Sequence, residues 1–330
     1  MKKRMVAVML LVAFVTLGVQ MASAMEKKGE SIILKAACDH AKGYSTVEGL
    51  ELMSKLAKEW TKGRIIIEVY PSAVLGSEKE TIEQTQMGII DINRVSISPV
   101  TAVYPKISVF SLPYIFKNRD HMWKVLESDL GQQMLLDLQD VGFLGIGYMD
   151  AGARSFYSVK KAIYSPSDIK GLKVRVQRSP VMIDMINALG GKAVPMAFEE
   201  VYTALQTGVI DAAENNPPSY LETSHYEVAK YYSLDEHAMV PEVVLMSKRT
   251  WDQLSDTDRQ IIRMVAIAGQ ELQRKLWLKD EDIALSKVKA AGCTIIEPEK
   301  GPFIEAMKPI YDKYGAQYEE LIKQIQDMAK

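Results

Sequence analysis

Two apolar periods alternate along this chain, and together they predict strands interleaved with helices. Residues 32–37 and 65–70 are short apolar runs that read as strands. Between them Leu50, Met53, Leu56, Ala57 and Trp60 recur at helical spacing over 45–62. The opening is therefore β-α-β. Ser77 followed by Glu80 is a capping-box signature, which predicts a helix over 78–87 stopped by Gly88 and followed by a strand over 90–95. Residues 107–116, apolar and punctuated by Pro113, suit a wall of packing between elements. Residues 118–140 place Met122, Val125, Leu126, Leu130, Met134 and Leu138 on one side of a helix. The strand predicted over 141–149 carries Gly142, Gly145 and Gly147, which implies close backbone approach.

Beyond Asp150 the alternation starts again, with Arg154 just past the preceding strand. Helices are predicted over 180–189 and 199–207, and short strands over 193–194 and 211–214. An apolar strand at 243–246 returns to the first half. Helical periodicity then runs nearly unbroken over 256–290, long enough to cross both halves. A last strand at 294–296 and terminal helices over 303–328 complete the chain. This order predicts an α/β protein of two lobes with several crossings. The corresponding division is 25–151 for the first part of lobe I, 152–237 for the first part of lobe II, 238–280 for the return and the spanning helix, and 281–330 for the remainder of lobe II with the C-terminal helices.

Lys2, Lys3 and Arg4 precede an apolar stretch over 5–19 and the small-residue site Ala22-Ser23-Ala24, the pattern of a cleaved export signal over 1–24. The competing reading, a membrane anchor, needs roughly 20 apolar residues, more than this stretch provides. Removing 1–24 takes three basic residues and no acidic one, shifting the formal charge from −2 to −5. That balance disfavours nucleic-acid binding, while the export signal points to the periplasm. Cys38 and Cys293 are expected as two buried free thiols rather than a bridge, since a chain this long folds without one. The four histidines show no metal-ligand spacing, so neither metal nor cofactor is expected.

Catalytic signatures are absent: there is no GxSxG, no P-loop and no GxGxxG after a strand. Glu78, Glu199 and Glu214 supply an acid–base pair only by free choice among solvated glutamates. A binding site is better supported. Arg175 sits in a short β-rich run between Val174 and Val176, where its guanidinium can reach out of the sheet toward a planar carboxylate. Arg154 stands close enough to a strand end to converge on the same anion. Asn215 and Asn216, at the end of another short strand, offer amide donors and acceptors to a hydroxylated ligand. Phe198 supplies an apolar wall or core packing, and His40, Glu78 and Arg94 lie at strand or helix ends of the first lobe.

The segments GSEKETIEQTQMGIIDINRVS (76–96), FSLPYIF (110–116), DAGARSFY (150–157), DIKGLKVRVQ (168–177) and PMAFEEVYTALQTGVIDAAENN (195–216) resemble the extracytoplasmic solute-binding proteins of TRAP transporters, of the dicarboxylate-binding DctP type. The likeness runs through essentially the whole mature chain. It implies a two-lobed periplasmic binding protein fold with long interlobe-spanning helices, no cofactor and no chemistry, acting as a monomer that delivers an organic acid to TRAP permease membrane subunits. In that family the arginine of the KGLKxR motif, here Arg175, makes the bidentate salt bridge to the ligand. Arg154 matches a second carboxylate-facing arginine, Asn215 the asparagine after the strand, Phe198 the apolar lining residue and Glu78 a first-lobe polar contact. Gln177, at the end of the DIKGLKVRVQ segment, joins them as a candidate.

INRVS, GARSFY and ENN followed by PSY are similar to the binders of D-glucuronate or D-galacturonate, with His40, Arg94 and Asn216 expected to satisfy ring hydroxyls. Ala41 and Pro217 depart from that subgroup, which has proline after the histidine and often an aromatic residue after ENN. Sialic acid and four-carbon dicarboxylates stand as alternative ligands. A periplasmic sensor partner and an exported enzyme acting on uronates stand as alternative functions.

Overall fold

The computed structural model describes residues 31–329, so the leader expected over 1–24 lies outside the described residues. Eleven strands appear among them: β1 (Ile32–Ala37), β2 (Ile65–Tyr70), β3 (Ile92–Ser96), β4 (Phe143–Met149), β5 (Ala153–Ser158), β6 (Lys173–Val176), β7 (Lys192–Pro195), β8 (Ala212–Asn215), β9 (Tyr231–Met239), β10 (Glu242–Ser247) and β11 (Thr294–Ile296). The opening β-α-β unit forms as expected. β1 and β2 pair in parallel from Ile32 opposite Ile65 to Ala37 opposite Tyr70. The helix Ser45–Trp60 makes the crossover such a pair requires and buries Val47, Leu50, Met53 and Ala57 along one stripe.

The strands form two sheets, ordered β2-β1-β3-β10-β4 and β11-β9-β5-β8-β6-β7. β10 lies between β3 and β4 and runs antiparallel to both. The chain passes between the sheets at residues 150–152, at 240–241 and along the helix Asp256–Ala290. At 35 residues that helix is about 52 Å long. Its Ile262, Val265 and Ala266 pack into the core of the first sheet, and Val288, near its far end, packs into the outer core of the second. The C-terminal helix Lys308–Asp327 is a second staple. Its Ile310, Tyr314, Ile322 and Ile325 join a core that contains both Val109 and Phe110 of the first half and Met182 and Met185 of the second.

One polar node fixes the first crossing. Asp150 donates its backbone N–H to Gln273 Oε1 and accepts from Gln273 Nε2 at its carbonyl, both at 2.8 Å. Its carboxylate accepts from Gly152 N at 2.8 Å and Trp123 Nε1 at 2.9 Å and pairs with Arg119 Nε at 3.0 Å. Gly152 has a φ of +57°, and a Cβ there would run into the Glu281 carboxylate, so glycine is needed on both counts.

One expectation requires correction, and one strand was not anticipated. Residues 118–140 form not one helix but two, Arg119–Leu126 and Asp129–Asp137, followed by the 3₁₀ turn Leu138–Val141. Ser128 adopts an extended backbone that opens the second helix. Gly131 then packs so closely on the Leu126 carbonyl that no side chain fits between them. Arg154 lies just past β4, as expected, and within a further strand, β5, that was not anticipated. Cys38 and Cys293 are buried free thiols, as expected.

The spanning helix crosses Ser45–Trp60 at a glycine contact. A Cβ added at Gly269 would lie 2.7 Å from the Gly49 carbonyl and 2.7 Å from Met53 Cγ. Gly269→Ala is therefore expected to lower the unfolding free energy by about 1–3 kcal/mol, measured by denaturant unfolding. Unchanged stability would show that the two helices separate without loss.

Candidate ligand-binding site

The strand ends of both sheets meet at one cleft. All nine residues singled out above, His40, Glu78, Arg94, Arg154, Arg175, Gln177, Phe198, Asn215 and Asn216, line it, together with Asp39, Ser96, Ser219 and Glu242. About 340 Å³ of space not filled by atoms lies among these residues, part of it open solvent.

Arg175 reaches the cleft because β6 alternates. Val174 and Val176 point into the core, so the residue between them faces the opposite way. Its Nε and one terminal nitrogen both donate to the Met196 carbonyl, at 3.1 and 2.9 Å. These bonds fix the plane of the guanidinium and leave the other terminal nitrogen toward the cleft. Arg175 is only 3% exposed and pairs with no carboxylate among the described residues. Burial lowers its pKa from the ordinary value, with nearby Glu214 opposing that shift and Arg154 adding to it. The Phe198 ring lies beside it, 6.0 Å from guanidinium carbon to ring centroid.

Arg154 is equally buried but fully engaged. Its Nε donates to Glu214 Oε2 at 2.5 Å, one terminal nitrogen to Glu214 Oε1 at 2.9 Å and the other to Asn215 Oδ1 at 2.9 Å. The ladder between β5 and β9 slips between Arg154 and Phe156, the kind of irregularity that re-aims a side chain. Behind this pair, His237 Nδ1 lies 2.9 Å from Asp235 Oδ2 and Nε2 lies 3.5 Å from Glu214 Oε2. Burial alone would raise the Glu214 pKa, but Arg154 and His237 outweigh it and hold the carboxyl at about 2. Burial alone would lower the His237 pKa, yet Asp235 and Glu214 lift it to about 9.

The first-lobe wall is acidic. Arg94, within β3, pairs with Asp39 at 2.5 Å and with both oxygens of Glu242, and lies 3.8 Å from Glu78. Glu78 accepts from Ser96 N at 2.6 Å. Burial first and Asp39 second raise its pKa to about 7, against the opposing pull of Arg94. His40 stacks on Tyr44, with ring centroids 3.8 Å apart. From the second lobe, Glu222 reaches His40 Nδ1 at 2.8 Å and accepts from Ala41 N at 2.6 Å. Tyr44 OH and Ser219 Oγ add a further cross-cleft bond of 2.8 Å. Asn216 Oδ1 caps the helix Pro217–Glu222 by accepting from Ser219 N. Gln177 Oε1 is buried with no donor.

Sequence reasoning missed Asp39, Glu242 and Glu222. The available signals were an acid beside His40 and a glutamate opening the otherwise apolar β10.

The profile of the DctP family, described as bacterial extracellular solute-binding protein family 7, matches residues 37–317. This chain belongs to that family. It is similar to a solute-binding protein of Chromohalobacter salexigens, 39% identical over 290 residues that cover 88% of this chain and 86% of the relative. Among solved structures it is similar to a TRAP periplasmic solute-binding protein from Bradyrhizobium sp. BTAi1 in complex with α/β-D-galacturonate, with a TM-score of 0.88, 40% identity and coverage of 90% and 100%. A second similar structure, from Pseudomonas putida F1 with bound D-glucuronate, gives 0.87, 42% identity and coverage of 89% and 97%. The protein is thus a periplasmic TRAP solute-binding protein, a class that binds and releases without catalysis.

In this DctP-family protein the buried His237 gives a stability signature. Its pKa of about 9 in the fold, against an ordinary 6.5, means that the folded chain keeps a proton the unfolded chain releases between those values. The contribution is complete below pH 6.5 and is lost as pH rises through 9. Denaturant unfolding should show stability falling across this window, and His237→Gln should flatten the fall. Parallel profiles would mean that the proton is not held there.

Proposed function

We propose that this protein captures a hexuronate, D-glucuronate or D-galacturonate, through Arg175 and the surrounding polar wall, and delivers it to a TRAP permease. The observation that carries the reading is the buried Arg175 guanidinium, held by a backbone carbonyl and lacking an acid partner. A buried cation is costly unless paired, and a ligand carboxylate is the partner its remaining donors fit. The uronates bound by the two similar structures support the ligand class.

In this reading the amide nitrogens of Asn215 and Asn216 meet ring oxygens, while His40, Glu78 and Gln177 meet hydroxyls. Phe198 forms the apolar wall. Arg154 has most of its donors taken by Glu214 and Asn215, so it shapes the anion site chiefly by holding Asn215 in place. Arg94 acts through Asp39 and Glu242 rather than by direct donation. We further propose that the leader is cleaved near Ala24, that the mature protein is a monomer, and that lobe I comprises 25–151 with 238–280 while lobe II comprises 152–237 with 281–330. Closure of the lobes on the ligand excludes water, strengthens the ion pair and shifts the open–closed balance by the ligand's preference for the closed state.

Calorimetric titration of the ligand-stripped mature protein should show binding of glucuronate or galacturonate and none of neutral hexoses. Binding confined to sialic acid or to succinate and malate would overturn the uronate reading while keeping the family. Arg175→Lys loses the planar fork and should weaken uronate binding at least about 30-fold, equivalent to roughly 2 kcal/mol. An affinity within about twofold of wild type would remove Arg175 from its assigned role. Phe198→Ala should weaken all acids roughly tenfold while keeping their rank. Unchanged affinity for every ligand would return Phe198 to the core.

A further inference from the structure

The cleft is electrically polar. On the second-lobe side Arg154 and His237 are matched by Glu214 and Asp235, so Arg175 is the cleft cation left without an acid partner among the described residues. On the first-lobe side Arg94 faces Asp39 and Glu242 at contact distance, with Glu78 3.8 Å away. Arg94 donates from Nε and both terminal nitrogens into these acids, so these donors are taken before any ligand arrives. Carboxylate oxygens keep further lone pairs after such bonds, so Asp39 and Glu242 present acceptors to whatever lies against them. An independent observation agrees. Gln177 is nine-tenths buried and lines the cleft, and its Oε1 has no donor. That oxygen calls for a hydroxyl or N–H donor from the ligand.

We infer that Asp39 and Glu242, oriented by Arg94, form a filter that admits acids with one carboxylate and a hydrogen-bond-donating far end, and rejects acids carrying a second carboxylate. The inference rests on the uronate reading and refines it. With Arg175 holding the first carboxylate, the far end of the ligand meets this wall. Sugar hydroxyls donate into Asp39 and Glu242. A second carboxylate brings like charge against them, which opposes binding.

The test compares D-galacturonate, D-gluconate and D-glucarate by calorimetric titration of the stripped wild-type protein and of Asp39→Asn and Glu242→Gln. Glucarate differs from gluconate only in carrying a carboxylate in place of a hydroxymethyl group. In the wild type, glucarate should bind at least 100-fold more weakly than galacturonate. Each neutralised variant should narrow that ratio at least tenfold. Glu242→Gln removes the partner on which Arg94 leans most, so thermal unfolding of both variants accompanies the titrations, and Asp39→Asn decides if the other is unfolded. Wild-type glucarate affinity within threefold of galacturonate or gluconate overturns the filter. So does a folded variant whose ratio is unchanged. Failure of the wild type to bind any uronate would instead strike the proposed function, so the two failures are distinguishable.

Discussion

A guanidinium held out of water without an acid partner is the constraint around which this cleft is arranged. Desolvating such a charge is unfavourable by several kcal/mol, and the fold tolerates it only by surrounding Arg175 with fixed dipoles and neutralised neighbours. The Met196 carbonyl accepts two of its donors. Arg154, the nearest competing cation, is cancelled by Glu214, and His237 by Asp235. The result is one localised positive site in an otherwise balanced lobe. Its orientation is set by backbone and sheet rather than by a mobile side-chain partner that would have to be displaced.

That localisation depends on rigid supports. β6 is central enough to be paired on both edges, by β7 and β8, so the Arg175 backbone cannot drift. The spanning helix and the C-terminal helix bury residues in the cores of both halves. Movement of one lobe against the other must therefore be accommodated at the short crossings. At 150–152 the Gln273 side chain satisfies both backbone polar groups of Asp150. This pins the position of the crossing while Gly152, without a side chain, leaves room beside Glu281.

Much of this was legible in the sequence where local chemistry decides structure. The capping box at Ser77 and Glu80 and the left-handed Gly88 bound their helix as the sequence implied. The 35-residue helix has the ends its periodicity predicted. Most of the nine candidate residues stand at or beside strand or helix ends, where α/β folds gather side chains, while Arg94 sits mid-strand in β3. The failures have a common cause in tertiary context. Residues 118–140 keep one apolar side through a break, so periodicity alone could not reveal that Gly131 must pass the Leu126 carbonyl. β9 buries Ser233, Asp235 and His237, a polar set that hides a strand until its partners are known. Arg94 and Arg154 looked alike in sequence to Arg175. Only the spatial placement of Asp39, Glu242 and Glu214 shows that their donors are taken.

The cross-cleft contacts place ligand recognition and lobe closure on the same surface. Glu222 from the second lobe grips His40 and the Ala41 N–H, and Tyr44 reaches Ser219, all beside the wall that Asp39 and Glu242 form. Hydrogen bonds of this kind contribute on the order of 1 kcal/mol each, because open lobes exchange them for water. Moving a two-state equilibrium from mostly open to mostly closed takes about 5.5 kcal/mol of differential affinity. A few direct bonds therefore leave the balance open to control by a ligand that, on the proposed function, adds an ion pair at Arg175 on one wall and hydroxyl donation to the other. On that proposal only a molecule that satisfies both walls at once supplies the difference, so the charge pattern proposed to select the ligand would also determine when the lobes close.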